Sequence, residues 1–139
     1  GKGGQIEIGE PWSMLNDDDR ADATRTAQWR PGGDQPFTLH RGTALLYALM
    51  HKGGIDTQDN DGTEVWVFDV NRKRRVARKT LPVAAKNLHV SQETDPRLSV
   101  YDKDFKLHLY DGRLLRLQRS IDDTGFSGGV LLQALAPHD

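Results

Sequence analysis

Five histidines, a carboxylate-rich loop and a tryptophan–arginine turn are the parts of this sequence equipped for chemistry. His40, His51, His89, His108 and His138 could each ligate a metal or move a proton near neutral pH. No two of them stand four residues apart, so no helical zinc pair arises, and none forms a zinc signature with a carboxylate. Ordinary strand histidines are expected. Asp56, Asp59, Asn60, Asp61 and Glu64 supply the oxygens that calcium takes. Counting from Asp56, however, the sixth position is Asp61, where a helix-loop-helix calcium loop needs glycine. A solvated loop with turn-forming Asp and Asn is the better reading. Ser91, Ser99 and Ser127 lack a nucleophile-elbow context, because Gly125-Phe126-Ser127-Gly128-Gly129 leads into a strand pattern and not a helix. Gly1 to Gly4 has no spaced Lys-Ser/Thr and is not a phosphate loop. Asn16 to Asp19 reads as a capping or solvated run. The sequence therefore assigns no catalytic, cofactor-binding or metal residue to this chain.

The run Arg72-Lys73-Arg74-Arg75, continued by Arg78 and Lys79, is the strongest charge feature. Clustered cations steer acidic partners or nucleic acid. They also protect the edge of a sheet, and this second reading leads because no aromatic residues interleave to stack on bases. In Gln28-Trp29-Arg30-Pro31-Gly32-Gly33, proline fixes φ and the glycines permit positive φ, so the loop sets the positions of an indole and a guanidinium. Such a pair anchors partners at interfaces. Alternatively, Trp29 packs between neighbouring sheets while Arg30 bonds loop carbonyls. Trp29 and Arg30, with Phe37 and His51, are the candidate partner-binding residues.

The elements that must position these groups are strands. Gln5 to Ile8 alternates with period two and stops at Gly9-Glu10-Pro11. Trp12 to Gln28 reads as a surface loop with one helical turn. Pro36 to His40 and Ala44 to His51 form a hairpin through Arg41-Gly42-Thr43, and Thr63 to Val70 with Arg74 to Leu81 form the next. Lys86 to Val90, Arg97 to Tyr101, Lys106 to Tyr110 and Leu114 to Ser120 repeat the order. Val65-Trp66-Val67-Phe68-Asp69 matches Leu107-His108-Leu109-Tyr110-Asp111 at an offset of 42 residues, each closing on aromatic-Asp. A last strand, Val130 to Leu135, follows.

Four-stranded antiparallel units recurring at forty-odd residues build β-propellers. The fold expectation is all-β: a β-propeller segment of about two four-stranded blades with extra strands at each end. Residues 1–28 would end a preceding blade and its loop, 29–83 form one blade, 84–122 the next, and 123–139 a closing strand. Two blades cannot close a ring, so the chain reads as a cut through a larger propeller or as a unit completed by other copies of itself. Its 139 residues, 15.6 kDa, 36% hydrophobic content and mean hydropathy of −0.67 favour a thin, layered core. A net charge of −1 draws neither nucleic acid nor anionic lipid. Without cysteine there are no disulfides or thiolate sites. The longest apolar stretch, Ala44 to Met50, is far short of the ~20 residues of a membrane helix. The start at Gly1 reads as a mature, trimmed or excised segment.

Pro11-Trp12-Ser13-Met14-Leu15, Arg20-Ala21-Asp22, Trp29 to Gly33, Leu49 to Gly54, Gly62 to Asp69 and Val90-Ser91-Gln92 together resemble the heavy subunit of methylamine and aromatic amine dehydrogenases, in its C-terminal part. The resemblance implies a seven-bladed propeller that scaffolds a small, cysteine-rich light subunit. It further implies that the light subunit carries tryptophan tryptophylquinone and performs the oxidative deamination, passing electrons to a cupredoxin or c-type cytochrome in the periplasm. On this view the chain is a non-catalytic scaffold segment with no cofactor of its own. The rival expectation is a shortened, stand-alone interaction module that forms homo-oligomers to hide its blade faces.

Overall fold

The computed structural model describes residues 12–15, 29–53 and 60–122. Its strands are β1 (Trp29–Pro31), β2 (Phe37–His40), β3 (Leu45–Lys52), β4 (Gly62–Asp69), β5 (Arg74–Val90), β6 (Arg97–Asp102), β7 (Lys106–Asp111) and β8 (Leu117–Asp122). All pair antiparallel in the order β1-β3-β4-β5-β6-β7-β8, with β2 also on β3. The expected strands Gln5 to Ile8 and Val130 to Leu135 lie outside the described residues, as does most of the Trp12 to Gln28 loop.

Composition explains which strands lie inside. Tyr47, Ala48, Leu49 and Met50 of β3 and Val65, Trp66, Val67 and Phe68 of β4 are all buried, so both faces of these strands are covered. Strand β6 instead alternates, with Leu98, Val100 and Asp102 buried between partly exposed neighbours.

Strand β5 joins two four-stranded units. Arg74 to Thr80 pair with β4, Ala85 pairs with both Gly62 of β4 and Asp102 of β6, and Asn87 to Val90 pair with β6. Two strands were expected here, Arg74 to Leu81 and Lys86 to Val90. They are one strand because Pro82, which has no N–H to donate, falls in the register break of the β4–β5 ladder between Thr80 and Ala85. The units therefore are β2-β3-β4 with the first half of β5, and the second half of β5 with β6-β7-β8. Their inner strands run side by side: Gln35 bridges Asn87 in parallel, and the Val90 N–H donates to Thr38 Oγ1 at 3.1 Å. A core of Tyr47, Leu49, Val65, Val67, Leu88, Val90, Leu98, Val100 and Tyr110 lies between the two sheets. Tyr47 crosses it, donating its hydroxyl to the Gly112 carbonyl at 2.6 Å. This is the layered packing of adjacent propeller blades, in an unclosed arc.

The repeated aromatic-Asp ending has a local cause. Asp69 accepts from the Arg72 N–H and Asp111 from the Arg113 N–H, so each carboxylate nucleates the turn after its strand. The last strand begins at Leu117 and not at Leu114, because Leu115 adopts φ 55° and its N–H bonds back to the Asp111 carbonyl, extending the turn.

Candidate functional site

Strands β1 and β2 lie in succession along one edge of β3, and the Trp29 to Gln35 segment is where the chain steps between them. Gly32 N–H donates to the Leu49 carbonyl and Gly33 N–H to that of Asn60. The Asp34 and Gln35 N–H groups both reach the Lys86 carbonyl, at 2.8 and 3.0 Å, on the inner strand of the second blade. Gly33 has φ +79°, and a Cβ there would stand 2.5 Å from the Lys86 oxygen. Only glycine fits both the backbone and the space. Lys86 completes the junction with an ion pair to Asp61 at 3.1 Å. The turn is thus a clip tying one blade, its β3–β4 loop and the next blade together.

Arg30 and His51 are register partners on one face of this junction, while Trp29 faces the other way, opposite Lys52. Arg30 donates to Asn60 Oδ1 and, at 3.4 Å, to the Gly53 carbonyl. His51 Nδ1 lies 3.0 Å from the Asp61 carbonyl, which can only accept, so Nδ1 carries a proton and donates it there. The His51 Nε2 and the Trp29 indole N–H are buried with no hydrogen-bond partner among the described residues. Phe37 stands apart from the other three: it opens β2 opposite Ala48 and is 40% exposed.

Trp29 itself is 7% exposed and leans on Trp66, ring centroids 5.3 Å apart. The Arg78 guanidinium lies 5.0 Å from the Trp29 ring and 5.1 Å from that of Trp66, and Arg75 sits 4.6 Å from Trp66. Glu64 gathers this cluster, accepting from Arg78, from the Trp66 indole at 2.9 Å and from Thr80. Burial alone would push the Glu64 carboxyl up, but the hydrogen bonds from Arg78, Trp66 and Thr80 and the charge of Arg78 together outweigh it and hold the group below the usual carboxylate value. Trp12, Met14, Leu15 and Leu46 pack against the apolar part of this face.

Two further polar groupings escaped sequence reasoning. At the opposite end of the blades, Gln92 donates to the Leu39 carbonyl and accepts from the Arg41 N–H, while His40 bridges Thr43 and the Glu93 carbonyl. Val90-Ser91-Gln92 therefore forms a second clip between blades. In the outer blade, Asp102 Oδ2 lies 2.7 Å from His108 Nε2, and His108 Nδ1 lies 2.7 Å from Ser120 Oγ. The three residues come from separate strands, six and twelve positions apart, and no local spacing announces them. Asp102 also caps its own turn, accepting from the Asp104 and Lys106 N–H groups. Among the described residues, no three His, Asp or Glu side chains gather as a metal site.

Antiparallel four-stranded sheets that share a strand, stack face to face and align their inner strands define a propeller-type scaffold. The chain belongs to the methylamine dehydrogenase heavy chain family, whose model matches residues 12–134. It is 28% identical over 129 residues to the methylamine dehydrogenase heavy chain of Methylophilus methylotrophus, covering 92% of this chain and 31% of that one. It is also 28% identical over 105 residues to the heavy chain of Paracoccus versutus, covering 75% and 25%. The chain spans a third or less of the length of these relatives.

Proposed function

We propose that this chain is scaffold in an amine dehydrogenase, holding adjacent blades of a heavy subunit on which a light subunit sits. The family match across residues 12–134 carries the reading. The geometry supports it: the motif residues Trp29 to Gly33 and Val90 to Gln92 are spent on clips between blades. On this reading the light subunit carries tryptophan tryptophylquinone, oxidises primary amines in the periplasm and passes electrons to a cupredoxin or c-type cytochrome. The quinone would be built from the light subunit's own tryptophans. Trp29 and Trp66, packed against each other and against arginines, fit a structural role here.

Co-expression with a cysteine-rich light subunit, followed by pull-down and a dye-linked amine oxidation assay, tests the proposal. Co-purification with amine-dependent dye reduction is expected. A chain that captures no light subunit and instead runs as a homo-oligomer in light scattering would favour the stand-alone module.

A further inference from the structure

The cations of this chain are segregated along the sequence, and the fold sets the two stretches at matching places in the two blades. Six lie in Arg72 to Lys79 and three in Arg113 to Arg119, nine of the chain's 19, and neither stretch contains any of its 20 carboxylates. The first stretch covers the β4–β5 turn and the first half of β5; the second covers the β7–β8 turn and the start of β8. Each is the outermost strand of its unit, with one edge paired and the other carrying no strand among the described residues. Equivalent rims of two neighbouring blades are therefore basic.

Some of these cations are engaged within the chain. Arg72 pairs with Asp69, Arg78 with Glu64 and Arg113 with Asp95. Lys73, Arg74, Arg116 and Arg119 are exposed and make no ion pair among the described residues. Beside them stand exposed apolar side chains: Val76 at 45%, Leu114 at 64% and Leu117 at 51%. Three of the five large hydrophobic residues exposed among the described residues thus fall within the two basic stretches. Protection of a free edge calls for charge alone; it accounts neither for these apolar side chains nor for the missing carboxylates. Exposed apolar side chains interspersed with cations are the composition of an interface.

We propose that the outer rim formed by β5 and β8 is a docking surface for a protein that presents clustered carboxylates. The cations steer the partner in and set its orientation, and Val76, Leu114 and Leu117 supply contact that salt does not screen. This inference does not depend on the dehydrogenase reading.

Binding of fluorescent poly-L-glutamate to the purified chain at low and high salt tests it. Two triple variants carry the same change in net charge: Arg74→Glu/Arg116→Glu/Arg119→Glu on the rim, and Arg41→Glu/Lys103→Glu/Lys106→Glu elsewhere. Circular dichroism first establishes that both fold. The rim triple should lose about tenfold in affinity and the control triple less than about threefold. Leu114→Ser/Leu117→Ser should weaken binding by a factor that persists at high salt. Equal losses in both triples would reduce the effect to net charge and overturn the proposal. Absence of polyglutamate binding at low salt would also overturn it, as would binding only to vesicles containing phosphatidylglycerol.

Discussion

At the scale of single residues, two buried acids give this protein opposite sensitivities to pH. Burial pushes the Tyr47 hydroxyl up to about 12, from an ordinary value of 10.0. A group whose folded value is raised adds stability that is complete below its unfolded value and lost as pH rises through the folded one. Denaturant midpoints should therefore hold to pH 10 and fall toward pH 12. Tyr47→Phe should abolish that part of the decline and, by freeing the Gly112 carbonyl, cost about 1 kcal/mol at neutral pH. Glu64 runs the other way. Its value is depressed, so its contribution is present above the usual 4.5 and is lost as pH falls through the folded value. Glu64→Gln should cost about 2 kcal/mol at pH 7, the worth of charge-assisted bonds to Arg78. The gap from the parent should shrink on acidification, as urea titrations at pH 7 and below pH 4.5 would reveal.

At the scale of elements, the Asp102–His108–Ser120 chain binds an otherwise loosely held strand. β8 is exposed at five of its six positions, so few buried contacts retain it. Ser120→Ala should cost about 1 kcal/mol and Asp102→Ala about 3 kcal/mol, because the latter strips His108 and the Asp104 and Lys106 N–H groups together. The double variant should cost less than the sum, since both act through His108. Hydrogen exchange in β8 reports the loss directly.

How far these elements were legible follows from where their signals lie. The paired strands β3 and β4 were plain in the runs Leu45 to Met50 and Val65 to Phe68, since apolar β-formers bounded by turn residues specify strands locally. The start of β8 was not, because the left-handed turn at Leu115 occupies a residue type that rarely adopts it. The continuity of β5 was hidden by Pro82, which reads as a break wherever a ladder partner is assumed. At the junction, Trp29 and Arg30 stood out by type alone, yet the Glu64–Trp66–Arg78 cluster that holds Trp29 depends on cross-strand register. The His108 relay depends on it too, and no local window records register.

At the scale of the whole molecule, two clips, one shared strand and one intervening core bind the blades as a unit. The clips sit at opposite ends, Gly33 with Lys86 at one and Gln92 with Leu39 at the other, so the inner strands are held against rotation as well as separation. The crossing of β5 between Thr80 and Ala85 has a consequence of parity. A strand's side chains alternate between its faces, so the number of residues in this crossing decides which face of the second blade looks back at the first. One extra residue after Pro82 should turn Leu88 and Val90 outward and abolish cooperative unfolding. Two extra residues restore the alternation and should leave a folded, weakened protein, a contrast that thermal melts would resolve. In a ring assembled from such units, the odd or even count of a short connector would decide whether successive sheets can stack at all.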